Sequence, residues 1–279
     1  MPFYQSKKVA LDKNPNVYFT NVLRPINPFS PDGKYGKNWV ALSITDDSSY
    51  KLMTCKDTIF CFKISKATQE GWEFRAMDYI EYNLMLNRNV VYIGNRNDYE
   101  IAKSAYHGHG IHDPFLRSYE PAVLVHSTTP TGYKKIIKDG ALKSWNKVRE
   151  DYGSSENEPI GALLGDPDDF RDYVMLGGLG VWNEIVVNSK EKGYICMDTD
   201  CEYVPGARFY FSTTQLIQNG LFVRDGAHYK VRDILPLSYS LFCATVDNVF
   251  VNGEKTPRAF SEAADEAFKK YCGGRSGRA

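Results

Sequence analysis

The sequence predicts an α+β fold with many short strands and few helices, arranged in the C-terminal half as a split β-sheet core. Three observations lead there. Apolar runs rich in β-branched and aromatic residues recur at 39–44, 58–64, 123–125, 207–214 and 242–251, separated by turn-forming segments. Helical spacing is confined to a few stretches, chiefly 76–86, 130–139 and 257–271. The composition, 43% hydrophobic and 24% charged, is that of an ordinary globular chain.

At 279 residues the chain is long enough for one large or two modest domains. Residues 1–117 read as a mixed, β-leaning region that serves substrate recognition or regulation, with 89–94 as a third strand and Met77, Ile80 and Leu84 marking one helix. Residues 24–36 hold three prolines and two glycines and read as a loop. The run from Tyr106 to Pro114 contains His107, His109 and His112 among glycines. Imidazoles and a carboxylate can ligate zinc, but ligands need a held geometry that such backbone does not offer, so a solvated linker is the favoured reading and no metal is expected. A catalytic domain over 118–271 and a flexible tail over 272–279 complete the division.

Residues 120–142 organise the second half. Val123, Leu124 and Val125 form a buried-strand run, and His126-Ser127-Thr128 falls at its end. Thr129 is a good N-cap, Pro130 suits the first helical position, and Gly140 can close the helix in the left-handed conformation. Tyr133, Ile136 and Ile137 are spaced to bury one face, leaving Lys134, Lys135 and Lys138 to water.

Farther on, 143–159 reads as a surface loop and 166–176 as a capped helix or, over 173–176, a short strand. A glycine-rich stretch at 177–180 leads to a strand beginning near Glu184, and Trp182 is either held toward a target or packed in the core. Strand patterns follow at 207–214, 220–224, 229–231, 235–237 and 242–251, then a terminal helix over 257–271 with Phe260, Ala264, Ala267, Phe268 and Tyr271 on one face.

The sequence V-H-S-T-T followed by K-K-I-I-K-D-G-A-L resembles the opening of the ADP-ribosyltransferase fold, shared by bacterial toxins, poly(ADP-ribose) polymerases and RNA 2′-phosphotransferases. Residues 181–188, V-W-N-E-I-V-V-N, resemble that family's glutamate motif, in which a glutamate opens a strand of aliphatic residues. The resemblance spans roughly 120–237. It implies an ADP-ribosyltransferase-like split β-sheet and NAD as a substrate, with His126 orienting a ribose diol and Thr128 contacting the nicotinamide amide. Tyr173, preferred to Tyr152, would stack on nicotinamide. Glu184 would be catalytic, stabilising the oxocarbenium-like transition state of nicotinamide release. The serine–threonine strand of the family has its counterpart in Phe211-Ser212-Thr213-Thr214, which here follows Glu184 instead of preceding it.

The implied function is NAD-dependent ADP-ribosyl transfer to a macromolecular acceptor, protein or nucleic acid. The alternatives are an RNA 2′-phosphotransferase-like enzyme and a non-enzymatic β-rich binding module in which His126 and Glu184 are structural. With 34 basic and 34 acidic residues the chain carries no global footprint for nucleic acid, but Lys134, Lys135, Lys138, Lys143, Lys147 and Arg149, interleaved with Trp145, form a local basic stretch. No membrane span or signal peptide is apparent, so a cytoplasmic location is expected. The six cysteines form no C-x-x-C pair and read as free thiols.

Overall fold

A computed structural model of the chain describes residues 16–47, 52–55, 59–153, 159–161, 165–249, 253 and 255–276. The fold is mixed α+β, with several small sheets and, among the described residues, no barrel. It divides into two compact units. The first runs to Asp113, joined by residues 165–167 and Arg224–His228, and the second takes the rest from Pro114 onward.

In the first unit the strands are β1 (Val17–Thr20), β2 (Trp39–Thr45), β3 (Leu52–Cys55), β4 (Ile59–Ser65) and, after helix α1 (Trp72–Met85), β5 (Asn89–Ile93); helix α2 (Arg96–Ala105) follows. They form one sheet in the order β1-β5-β2-β4-β3, parallel throughout except for β3 against β4. This is an α/β layer, not the β-leaning region the sequence suggests. A parallel pair needs a crossover, and α1 supplies it between β4 and β5, lying on β2, β4 and β5. Because both faces are covered, β2, β4 and β5 are nearly continuous apolar runs, which is why they are readable from sequence while the short edge strands β1 and β3 are not.

The proline- and glycine-rich loop at 24–36 covers the face opposite α1. Phe29 and Tyr35 pack with Leu23 on Ala41, Ile59, Cys61 and Val91. Asn27, 1% exposed, pins it: its side chain donates to Lys34 O at 3.0 Å and accepts from Phe29 N at 2.9 Å. The loop is therefore part of the core.

The histidine run lies at the end of this unit. His109 Nδ1 lies 3.1 Å from Asp113 Oδ2, while Asp113 Oδ1 accepts from Gly110 N at 3.1 Å, a local turn that uses up the carboxylate. His107 and His112 are exposed. Among the described residues, no group of three or more His, Cys, Asp or Glu is arranged to hold a metal.

The second unit contains β6 (Val123–Thr128), α3 (Pro130–Asp139), β7 (Ala141–Lys143), α4 (Trp145–Tyr152), β8 (Tyr173–Leu176), α5 (Trp182–Lys192), β9 (Ala207–Ser212), α6 (Thr213–Gln218), β10 (Phe222–Arg224), β11 (Tyr229–Arg232), β12 (Ile234–Pro236), β13 (Ser240–Thr245) and α7 (Pro257–Ser276). Its sheets are β13-β9-β6, β10-β11-β8 and β7-β12. The residues around β6 take the local form their sequence dictates: Thr129 caps α3 by accepting from Gly132 N at 3.0 Å, Pro130 opens it, and Gly140 ends it at φ 65°.

Four expectations are corrected here. Residues 145–152, read as loop, are helix α4, capped by Ser144 accepting from Lys147 N. Thr213 and Thr214, read as strand, begin α6, because the Ser212 side chain caps Gln215 N. The tail from Cys272 continues α7 to Ser276, and 277–279 lie outside the described residues. Most consequential, Glu184 does not open a strand. It sits in the first turn of α5, where Glu184, Ile185, Val187, Asn188 and Ser189 are buried and Gly193 ends the helix at φ 72°. Ile185-Val186-Val187 favours strand locally, but burial of this helical face outweighs a preference worth only tenths of a kcal/mol per residue.

Two cores flank the β6–β9 pair. Leu124, Phe209 and Phe211 join Leu142, Val174, Leu176, Val231 and Leu235 on one side. On the other, Val125 and Tyr210 join Val187, Tyr203, Phe260, Ala264 and Phe268, so the terminal helix face packs as its spacing predicts.

Candidate functional site at the tip of β6

Strand alternation assigns the polar residues at the end of β6 to different faces. His126 is opposite Phe209 and follows Leu124 at a two-residue interval, so it and Thr128 share the face of the first core. Ser127 is opposite Arg208 and belongs to the other face with Val125 and Tyr210. Thr128 leans against Gly132 in the first turn of α3, where even a methyl group would collide with its Oγ1.

On the second face a buried polar network forms. Glu184 and Arg208 are both fully buried and ion-paired, with Nη1 to Oε2 at 2.5 Å. Ser127 Oγ donates to Glu184 Oε1 at 2.5 Å. Arg208 also reaches Asp265 Oδ1 at 3.1 Å through Nε and Gly180 O at 3.0 Å through Nη2, and Tyr210 donates to Asp265 Oδ1 at 2.8 Å. Burial pushes the Glu184 carboxyl up, opposed by the Arg208 charge and the Ser127 hydroxyl. Arg208 is raised despite its burial, held charged chiefly by Glu184. This network satisfies a buried guanidinium and locks α5, β9 and α7 together.

The structure therefore does not bring the sequence-predicted site residues together. Glu184 lies behind the sheet from His126, has no exposed surface, and spends its charge on Arg208. In this structure it cannot touch a ribose held by His126. Tyr173 is also occupied: fully buried Lys230 sits between two rings, 4.4 Å from the centroids of Phe170 and Tyr173. Val174 and Leu176 enter the first core, so Tyr173 points to the opposite side of its strand.

What remains around His126 has a coherent chemistry. His126 is half-buried and its Nδ1 lies 3.0 Å from Met175 O; a carbonyl can only accept, so Nδ1 carries the proton and Nε2 is an acceptor. Burial lowers the His126 pKa, and the charge of Lys190 lowers it further, which keeps the ring neutral at pH 7. Lys190 is itself lowered, first by burial and then by nearby Lys135. Lys190 has no ion-pair partner among the described residues, and neither has His126 Nε2. Lys135 stands 4.7 Å from the ring of Tyr152, which links that aromatic residue, and not Tyr173, to the site. A neutral acceptor beside unpaired positive charge suits a ligand with both a hydroxyl and an anionic group. Sequence reasoning missed Lys190 because it lies in α5, which reads as strand.

Two cations of the neighbouring basic stretch, Lys143 and Lys147, are ion-paired. Lys143 holds Asp139 at 2.8 Å and Asp151 at 2.6 Å, Lys147 holds Glu150 at 2.6 Å, and Arg149 and Arg171 stack on Trp145 at 5.4 and 5.6 Å.

Close approach of the next loop shapes the tip. Gly206 N donates to Thr128 O at 3.1 Å, and a Cβ there would run into the backbone of Thr129 and Pro130. Gly206→Ala is accordingly expected to cost about 1–3 kcal/mol through overpacking, read as a lowered unfolding midpoint. An unchanged midpoint would mean that the two backbones are not in contact.

Among the described residues, no helix is long and apolar enough to cross a membrane. No protein-family model matches the chain, and no curated protein or solved structure does either.

Proposed function

We propose that the second unit binds NAD at the end of β6 and transfers its ADP-ribose to a macromolecular acceptor. The observation that supports this reading is the pairing of a neutral His126, fixed in one tautomer with Nε2 as acceptor, with the unpaired positive charge of Lys190. Nε2 accepts a ribose hydroxyl, and Lys190 with Lys135 attracts the pyrophosphate. Thr128 contributes its hydroxyl, and Tyr152, whose ring carries Lys135, is the aromatic residue associated with this charge. The sheet is of the ADP-ribosyltransferase type in this reading, and Glu184 supports the scaffold instead of the oxocarbenium ion. Trp182, 65% exposed at the start of α5, is offered to the acceptor.

Incubation with NAD labelled in the adenylate moiety, alone and with a cell lysate, tests the chemistry. The expected result is nicotinamide release with label appearing on protein or nucleic acid, lost in His126→Ala. Trp182→Ala should leave stability within about 0.5 kcal/mol of the parent yet reduce transfer to the acceptor while NAD cleavage continues. A chain that neither releases nicotinamide nor labels a macromolecule would refute the enzymatic reading.

A second reading, a binding module without catalysis, draws on the sealing of Glu184 in its ion pair, which leaves the proposed pocket without the carboxylate the family resemblance supplies. It predicts that NAD binds and is recovered intact. The RNA 2′-phosphotransferase alternative gains little from the basic stretch, since Lys143 and Lys147 already hold carboxylates.

A further inference from the structure

The loop after α5 gathers three reactive side chains that take no part in the site at β6. Lys192 Nζ lies 3.5 Å from Cys196 Sγ and 3.1 Å from Cys201 Sγ. Asn188 Nδ2 donates to Cys201 Sγ at 3.1 Å, and the Cys201 thiol lies 3.4 Å from Asp198 O. The two sulfurs therefore share one ammonium, which lies within hydrogen-bond reach of both. Cys196 is anchored to α5, its backbone N donating to Ser189 Oγ at 2.9 Å and its carbonyl accepting from the same hydroxyl at 3.4 Å. Cys201 is partly exposed, so a small reagent can reach the pair.

We infer that Cys196 and Cys201 are a dithiol that closes to a reversible disulfide by exchange with a small-molecule disulfide such as oxidised glutathione. Proximity comes from the short loop, and the Lys192 ammonium stabilises whichever sulfur is deprotonated. The Asp198 amide, followed by Lys192 and Cys201, holds the Cys196 thiol below its ordinary value against the effect of burial. Cys243 is the opposite case: burial alone pushes its thiol up to about 11.

The step balances as a thiol–disulfide exchange. One protein thiolate attacks a sulfur of the small disulfide, breaking its S–S bond, forming a mixed disulfide and expelling one small thiolate. The second protein sulfur then attacks the mixed disulfide, forming the Cys196–Cys201 bond and expelling the second small thiolate. The protein pair loses two electrons, the small disulfide gains them, and the two thiol protons end on the two small thiols. Oxidation withdraws the thiolate that Lys192 supports, so reduction and oxidation alter the charge balance at the C-terminal end of α5.

The test is to treat the full chain with oxidised glutathione at neutral pH and map the cysteine peptides by mass spectrometry. The expected product is a single intramolecular Cys196–Cys201 cross-link, two hydrogens lighter than the reduced chain and reversed by dithiothreitol. Cys196→Ser should stop at a glutathione adduct on the partly exposed Cys201. Lys192→Met should slow cross-linking several-fold near neutral pH, with the difference closing at alkaline pH, where thiols ionise unaided. Separate glutathione adducts with no cross-link, a cross-link to another cysteine, or an oxygen-containing link to Lys192 would each overturn the inference, as would a Lys192→Met variant with the parent's rate and pH profile.

Discussion

Arg208→Met is expected to destabilise the second unit by about 3–5 kcal/mol, because it leaves buried charge without its partner. The reason is specific. Among the described residues, Arg208 is the cation that pairs with both Glu184 and Asp265, and Glu184 has no exposed surface. Glu184→Gln should cost less, about 1–3 kcal/mol, since Asp265 still faces the guanidinium and the amide still meets Ser127. That ranking separates the ion-pair role from catalysis. Measured below its own unfolding transition, Glu184→Gln should retain NAD binding and turnover, whereas the family resemblance alone implies a stable protein with turnover lost. Denaturant unfolding followed by circular dichroism gives the stabilities. Variants as stable as the parent would mean that the buried pair does not form.

Alkaline pH is expected to unfold both units. Burial raises the phenol pKa of Tyr92 and Tyr106 in the first unit and of Tyr203 and Tyr210 in the second above the ordinary 10.0. For Tyr106 the nearby Asp78 and Glu81 add to burial, each accepting or sharing a hydrogen bond of 2.7 Å with its hydroxyl. In the unfolded chain these phenols ionise near pH 10 while the folded chain keeps them neutral, so the folded state binds more protons above that pH. Their contribution is therefore complete below about pH 10 and falls as pH rises, by about 1.4 kcal/mol per pH unit for each phenol. Phenolate absorbance should show these four tyrosines silent until a cooperative transition that coincides with loss of circular dichroism. Smooth titration of every tyrosine near pH 10 with the fold intact would contradict the burial of these rings.

The parts of this fold legible in sequence are those where local rules and tertiary packing agree. Residues 120–142 are the clearest case: an apolar run, a threonine cap, a proline at the first helical position and a closing glycine each specify the same strand–helix unit, and β6 and α3 follow them. The parallel strands β2, β4 and β5 are legible because burial on both faces leaves long apolar runs. Helix α5 is the counter-case. Ile185-Val186-Val187 reads as strand, and Val181 provides no side-chain cap to signal a helix start. Losing α5 misplaces Glu184, Lys190 and Lys192 together.

For the site, His126 and Thr128 are found where the sequence puts them, at a strand end beside a capped helix. Their separation from Glu184 depends on which face of β9 carries Arg208, a long-range fact. One hint was available: Arg208 and Tyr210 alternate with Phe209 and Phe211, so a charge had to enter one of two apolar faces and required a buried acid. The pairing of Cys196 with Cys201 depends on a loop whose path no periodicity describes.

Calorimetric titration of NAD into the folded chain, with His126→Ala and Lys190→Met alongside, tests the central claim most directly. The account predicts that the parent binds, that His126→Ala weakens affinity roughly tenfold or more by leaving a ribose hydroxyl without its acceptor, and that Lys190→Met weakens it while reducing its salt dependence. Absence of NAD binding by the parent, or His126→Ala binding as tightly as the parent while remaining folded, would contradict it.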